Sequence, residues 1–170
     1  MTAFEDIQVG DTASVARRVT EEDVARFVQM TGDDNPLHVD RAYAETTPFK
    51  DVVVHGMLGA SLLSTVIGTK LPGEGALWVS QRFDFLLPVR LGDEIEVSAT
   101  VTGKHDAQRL LDLDARIVNQ RGELVLRGSG RVRALEPREE AATEAVEPAR
   151  VAIVTGGSGG IGRGLLMEFA

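Results

Sequence analysis

The sequence predicts an α+β domain in which an antiparallel sheet wraps around a long buried helix. Two observations carry this. Residues 52–69 contain no Asp, Glu, Lys or Arg, and within them 56–68 read as a helix whose Met57, Leu58, Leu62, Leu63, Val66 and Ile67 are apolar on nearly all sides. Such a helix is expected to be buried all round, and it is too short to span a membrane, which takes about 20 apolar residues. After Leu71-Pro72-Gly73 the period changes to two, and four successive runs alternate as half-buried strands do.

Taken in order, residues 1–13 lead in, with a turn at Gly10-Asp11. Residues 14–19 read as a short strand. Thr20 caps a helix with Glu21, Glu22 and Asp23 in its first turn, where the helix dipole favours negative charge. Val24, Phe27 and Val28 form its inward face. The chain then enters Thr31-Gly32-Asp33-Asp34-Asn35-Pro36-Leu37-His38, where Gly32 and Pro36 predict an ordered loop. Residues 41–45 are one further short turn of helix, and 46–49 lead away from it. The buried helix follows, its first N–H groups at His55-Gly56 free to meet an anion. Gly59, Ala60, Ser61 and Ser64 are small enough for a backbone or ligand to come close.

The four strand runs place Leu77, Val79, Gln81, Phe83, Phe85 and Leu87 on one face, then Ile95, Val97, Ala99 and Val101, then Leu111, Leu113, Ala115 and Ile117, then Leu124, Leu126, Gly128, Gly130 and Val132. Turn signals at Leu91-Gly92-Asp93, Gly103-Lys104-His105-Asp106 and Gln120-Arg121-Gly122 predict an antiparallel meander. One apolar helix followed by four long strands suggests the hot-dog fold. Residues 136–150 are a polar linker. Residues 151–155 form a buried-type strand, followed by Gly156, Gly160 and Gly162 and the start of a helix, so the chain is expected to carry a truncated C-terminal βα appendage. The expected organisation is a domain at 1–135, a linker at 136–150 and the appendage at 151–170.

Composition narrows the function. A net charge of −8 with no basic cluster argues against nucleic acid. The sequence has no cysteine, which removes disulfides, thiolate metal sites and a cysteine nucleophile. Residues 1–10 carry acids and no apolar core, unlike a signal peptide, so the expected compartment is the cytoplasm, with no membrane partner.

The stretch 31–38 holds the chemistry. Asp33 and His38 suit general acid–base work, one group taking a proton while the other gives one, and Asn35 offers both a donor and an acceptor. Gly, Asp, Asn and Pro also make ordinary turns, so composition alone leaves a plain turn open. The ordered pattern is sharper. Phe27, then Thr31-Gly32-Asp33-x-Asn35-Pro36-Leu37-His38, then Ala42 resembles the signature of the MaoC-like dehydratases, the (R)-specific enoyl-CoA hydratases, and the resemblance extends over roughly residues 10–134. It implies the hot-dog fold and a catalytic set of Asp33, Asn35 and His38. It implies an oxyanion-hole N–H from Gly56, an acyl tunnel lined by Ser64, Ile67 and Val132, and a homodimer with the tunnel near its interface. The implied reaction is hydration of a trans-2-enoyl thioester of CoA or acyl-carrier protein to the (R)-3-hydroxyacyl thioester, and the reverse dehydration, with no cofactor. Base and acid are not assigned between Asp33 and His38.

Of the other histidines, His55 is expected to position or pack, and His105 to be solvated in a turn. A metal site from Asp33, His38 and His55 matches no standard ligand spacing. Rival readings are a hot-dog thioesterase and a non-catalytic acyl-thioester-binding module. A third is an NAD-dependent reductase, because residues 151–162 resemble the opening of short-chain dehydrogenases/reductases, whose glycines let backbone approach a pyrophosphate. The later strands, the acidic ribose residue and the Tyr–Lys pair of that family have no counterpart; Tyr43 is the only tyrosine. The chain is therefore expected to be the N-terminal piece of a hydratase–reductase fusion, to bind no NAD(P) itself, and to keep hydration without residues 137–170.

Overall fold

The computed structural model describes residues 3–135; the expected linker and βα appendage lie outside the described residues. Strand β1 covers Thr12–Arg18. Thr20 then closes a capping box: its hydroxyl accepts from the Asp23 N–H at 3.2 Å, and Asp23 Oδ2 accepts from the Thr20 N–H at 3.0 Å. Two backbone donors are thereby satisfied at the start of helix α1, Glu21–Thr31. Gly32 ends that helix at φ +76°, a left-handed conformation open to glycine at no steric cost.

Pro36 does not break a helix here. It opens one, standing at the first position of the one-turn helix α2, Pro36–Val39, where a missing N–H is no loss. The loop expected over 31–38 therefore shrinks to residues 32–35, and His38 sits on helical backbone. Helix α3, Arg41–Thr46, follows at once, with the Asp40 carboxylate accepting from the Tyr43 N–H at 3.1 Å.

Helix α4, Gly56–Thr69, is the centre of the molecule. Leu58, Ala60, Leu63, Val66 and Ile67 are buried along it. Burial is one-sided, however: Met57, Ser61, Ser64, Thr65 and Gly68 are exposed in a continuous stripe. The expected all-round burial fails in the single chain because the sheet covers only one side of the helix.

That sheet has the order β1-β3-β4-β5-β2 and is antiparallel throughout, with β2 at Ala76–Phe85, β3 at Glu94–His105, β4 at Leu110–Asn119 and β5 at Leu124–Ala134. The predicted meander holds for β3, β4 and β5. It does not hold for β2. Strand β3 already pairs with β1 on one side and β4 on the other, so β2 takes the open edge of β5 instead, Phe83 opposite Gly128. The Leu91-Gly92-Asp93 signal is accordingly not a hairpin turn; it leads the chain back to β3, with the Gly92 N–H donating to Val19 O at 2.8 Å. The β2–β5 register also slips between Trp78 and Ser80. The bulge splits the single inward face expected for β2. Ala76, Trp78 and Phe83 pack against the core, while Leu77, Val79, Phe85 and Leu87 are exposed.

The inward residues of β3 (Ile95, Val97, Ala99, Val101) and β4 (Leu111, Leu113, Ala115, Ile117) form one cluster with the covered side of α4. Burying each Leu, Ile or Val of that kind favours the fold by about 1.5–3 kcal/mol.

Candidate active site

The site assembles where α2, the start of α4 and the residues just before it meet. Val53 ties them together through its peptide group. Its N–H donates to Leu37 O at 3.1 Å, and its carbonyl lies 2.5 Å from His38 Nδ1. A carbonyl can only accept, so Nδ1 carries the hydrogen and Nε2 of the neutral ring is left as an acceptor.

His55 is the N-cap residue of α4 and is 2% exposed. Its Nε2 lies 2.9 Å from the backbone oxygen of Asp33 and 3.8 Å from Asp33 Oδ2, so Nε2 bears the hydrogen by the same reasoning. Its buried Nδ1 has no partner among the described residues. The His55 ring stacks on His38 at 3.9 Å between centroids and touches Phe27 at 4.9 Å. His55 thus fastens the Asp33 backbone to the head of α4 and forms the floor under His38, which agrees with the positioning role expected for it.

Asp33 is half exposed, and its Oδ1 accepts from the Asn35 N–H at 3.3 Å. The Asn35 side chain turns the other way: its Oδ1 accepts from the Leu37 N–H at 3.0 Å and caps α2. Asn35 therefore shapes the turn between Asp33 and His38 with its side-chain oxygen and reaches Asp33 with its backbone. Nitrogen or carboxylate oxygen atoms of Asp33, His38 and His55 all lie within 4.8 Å of one another. These three residues are the set whose sequence spacing matches no standard metal signature. His38 Nδ1 and His55 Nε2 are already engaged by the backbone oxygens of Val53 and Asp33, which leaves one free nitrogen on each ring.

Gly56 is the first residue of α4, and its N–H has no acceptor among the described residues. An ideal Cβ there would lie 2.7 Å from Phe85 Cε1, so the absence of a side chain lets the aromatic ring lie on the backbone. Both residues line a mainly apolar cavity of about 440 Å³, with His38, Gly59, Ile117 and Leu126 among the others on its wall. Of the expected site residues, His38 and Gly56 line this cavity, and Asp33 lies beside His38. Ser64, Ile67 and Val132 do not line it: Ser64 is on the exposed stripe of α4, and Ile67 and Val132 are closed inside the core. His105 is remote from the pair, ending β3 with Nε2 at 2.7 Å from Asp112 Oδ2. Val53 and Phe85 carry no site signal in the sequence: Val53 acts through its backbone, and Phe85 reads as a strand residue. Of the four small residues of α4 expected to admit a backbone or ligand, Gly59 is on the cavity wall.

The fold and the site together define a hot-dog protein with an Asp–His pair beside an apolar cavity. Residues 7–119 match the family described as MaoC like domain, and the chain belongs to that family. It is 39% identical over 129 residues to the (R)-specific enoyl-CoA hydratase of Aeromonas caviae, spanning 76% of this chain and 96% of that protein. It is 48% identical over 100 residues to the (R)-specific enoyl-CoA hydratase of Rhodospirillum rubrum, spanning 59% of this chain and 69% of that one. Among solved structures, the (R)-hydratase from A. caviae involved in PHA biosynthesis aligns with a TM-score of 0.75 at 38% identity, over 77% of this chain and 99% of that chain. Among the described residues no helix is long and apolar enough to cross a membrane.

Proposed function

We propose that this protein is a lyase that adds water across the double bond of a trans-2-enoyl thioester, giving the (R)-3-hydroxyacyl thioester, and catalyses the reverse dehydration. One observation carries the reading: a carboxylate oxygen of Asp33 and a ring nitrogen of His38 lie within 4.8 Å of each other, and His38 lines an apolar cavity. That is the span of a single water hydrogen-bonded to both at about 2.8 Å each. The names of the relatives support the thioester substrate and the (R) product.

The water held by Asp33 and His38 Nε2 attacks C3. The π electrons of the double bond move through C2 onto the thioester oxygen, and the Gly56 N–H meets that developing charge. C2 then takes a proton from the pair, which has received one from the water, so the pair ends with the protons it began with. His55 and Asn35 touch no substrate; they hold the backbone of Asp33 and the turn into α2. Hydration transfers no electrons, so the reductase-like residues 151–162 and a nicotinamide take no part. The protein acts as a homodimer, because the apolar side chains on β2 and the open side of α4 require a cover.

The test is loss of the enoyl-thioester absorbance on CoA and acyl-carrier-protein substrates of graded length, with neither metal nor nicotinamide added. Asp33→Asn and His38→Ala should each lower the rate by about 10²–10⁴-fold while leaving the circular dichroism spectrum unchanged. A folded variant of either kind with the unaltered rate would remove that residue from the mechanism. Release of free CoA without water addition would favour a thioesterase.

A further inference from the structure

Arg90, in the connection between β2 and β3, makes three bonds to one short stretch of backbone. Its Nη1 donates to Asp51 O at 2.8 Å and Val52 O at 3.1 Å, and its Nη2 donates to Phe49 O at 2.7 Å. Its guanidinium carbon lies 5.9 Å from the centre of the Phe49 ring. Arg90 is itself held: its backbone N–H donates to the buried Asp93 carboxylate at 2.8 Å. One residue earlier, Val89 O accepts from the Val54 N–H at 2.9 Å. Residues 49–54 are thus gripped on one side by residues 89–90. On the other side the same stretch presents Val53, whose N–H and carbonyl hold Leu37 and His38 of α2.

We propose that Arg90 is a positioning residue for the hydration chemistry: by clamping the carbonyls of Phe49, Asp51 and Val52 it sets the Val53 carbonyl that keeps His38 in its Nδ1–H form. This rests on the hydratase reading for its link to rate, but not for its link to His38. A guanidinium is suited to the task, because its five N–H donors are fixed in a planar fork that meets carbonyls from two nitrogens at once, whereas an ammonium is a compact donor on a flexible stem. Without the clamp, three carbonyls, those of Asp51 and Val52 partly buried, lose their donor and the stretch relaxes toward water. The Val53 oxygen then no longer fixes which ring nitrogen of His38 bears the hydrogen. In the other tautomer Nε2 is a donor and cannot accept from the attacking water.

The experiment compares wild type with Arg90→Met by ¹⁵N spectra of the imidazoles at a pH where they are neutral, together with steady-state hydration kinetics. The sequence has three histidines, and the His38 signals are identified by their loss in His38→Ala. The expected wild-type spectrum shows His38 protonated at Nδ1. Arg90→Met should give a mixture of tautomers and lower kcat by about 10²-fold, the scale of a slight misplacement of a catalytic group, with KM changed much less. Arg90→Lys, which keeps a cation but not the planar fork, should recover only part of both effects. A folded Arg90→Met with the wild-type tautomer overturns the proposal, whether or not its rate falls. If Arg90→Met does not fold, Arg90→Gln, which can reach at most one of the carbonyls, is read in the same way. Absence of hydration in the wild type would defeat the hydratase reading alone, since the tautomer comparison would still decide the clamp.

Discussion

Val53 holds Leu37 and His38 of the proposed catalytic site with its peptide group, not its side chain. The same division of labour recurs at Asp33, whose backbone oxygen anchors His55 while its carboxylate stays half exposed. A second carboxylate, Asp112 on β4, is used quite differently. Its Oδ1 accepts from Arg131 Nε at 2.6 Å and its Oδ2 from His105 Nε2 at 2.7 Å. These bonds, Arg131 first and His105 second, hold the Asp112 carboxyl below its ordinary value. The folded state therefore binds this proton less readily than the unfolded chain does. The resulting stability is present above the unfolded value of about 3.9 and is lost as pH falls through the lower, folded value. Urea midpoints measured from pH 6 downward should fall less steeply below about pH 4 in Asp112→Asn than in wild type. Parallel curves for the two proteins would mean that these bonds do not couple folding to the proton.

Helix α4 carries both core and site, and its two sides make different predictions. Gly59 is buried and faces the cavity; a Cβ there would meet only the methyl ends of Ile95 and Ile117, at 3.9 and 4.0 Å. Gly59→Val should therefore fill cavity space and shift the substrate preference toward shorter acyl chains. Ser64 lies on the exposed stripe, and Ser64→Leu should leave the chain-length profile unchanged if the acyl group occupies the cavity. The opposite pair of results would route the chain past Ser64, as the family resemblance implies. The helix itself was legible because an uncharged apolar run is a local signal, and so were the cap at Thr20 and the alternation in β3 and β4. What failed to show was whatever depends on a partner. The bulge at β2 exists only relative to β5, the placing of β2 at the far edge only relative to a β3 already paired on both sides, and the exposed side of α4 only relative to where the sheet stops. Pro36 misled for a smaller reason: the same residue that ends one helix begins another, and only the backbone after Gly32 says which. At the site, Asp33 and His38 stood out because side chains carry identity. The Val53 carbonyl did not, since every residue has one.

At the scale of the whole molecule, the proposed dimer rests on the open edge of β2 and the uncovered side of α4. Leu77, Val79 and Phe85 are each about half exposed on β2, and Met57 is 55% exposed on α4. Met57 and Phe85 also share the cavity wall, so the apolar surface continues into the site. Sedimentation at micromolar concentration should give the mass of the proposed dimer. Val79→Arg, which adds a charge on the exposed strand edge, should shift the protein toward monomer. A fully active monomer would sever assembly from function. The sheet order has a further consequence, for the way the chain reaches this structure. Strands β3, β4 and β5 pair with their neighbours across short turns, whereas β1 must find partners such as Thr100 for Thr12, and β2 partners such as Ala134 for Ala76. Closing those long loops costs chain entropy before any pairing rewards it. Folding should begin with the central three strands collapsing onto α4, and the two outer strands should zip on afterwards. Pulsed hydrogen exchange during refolding should protect the amides of β4 before those of β1 and β2; early protection at either edge would reverse that order.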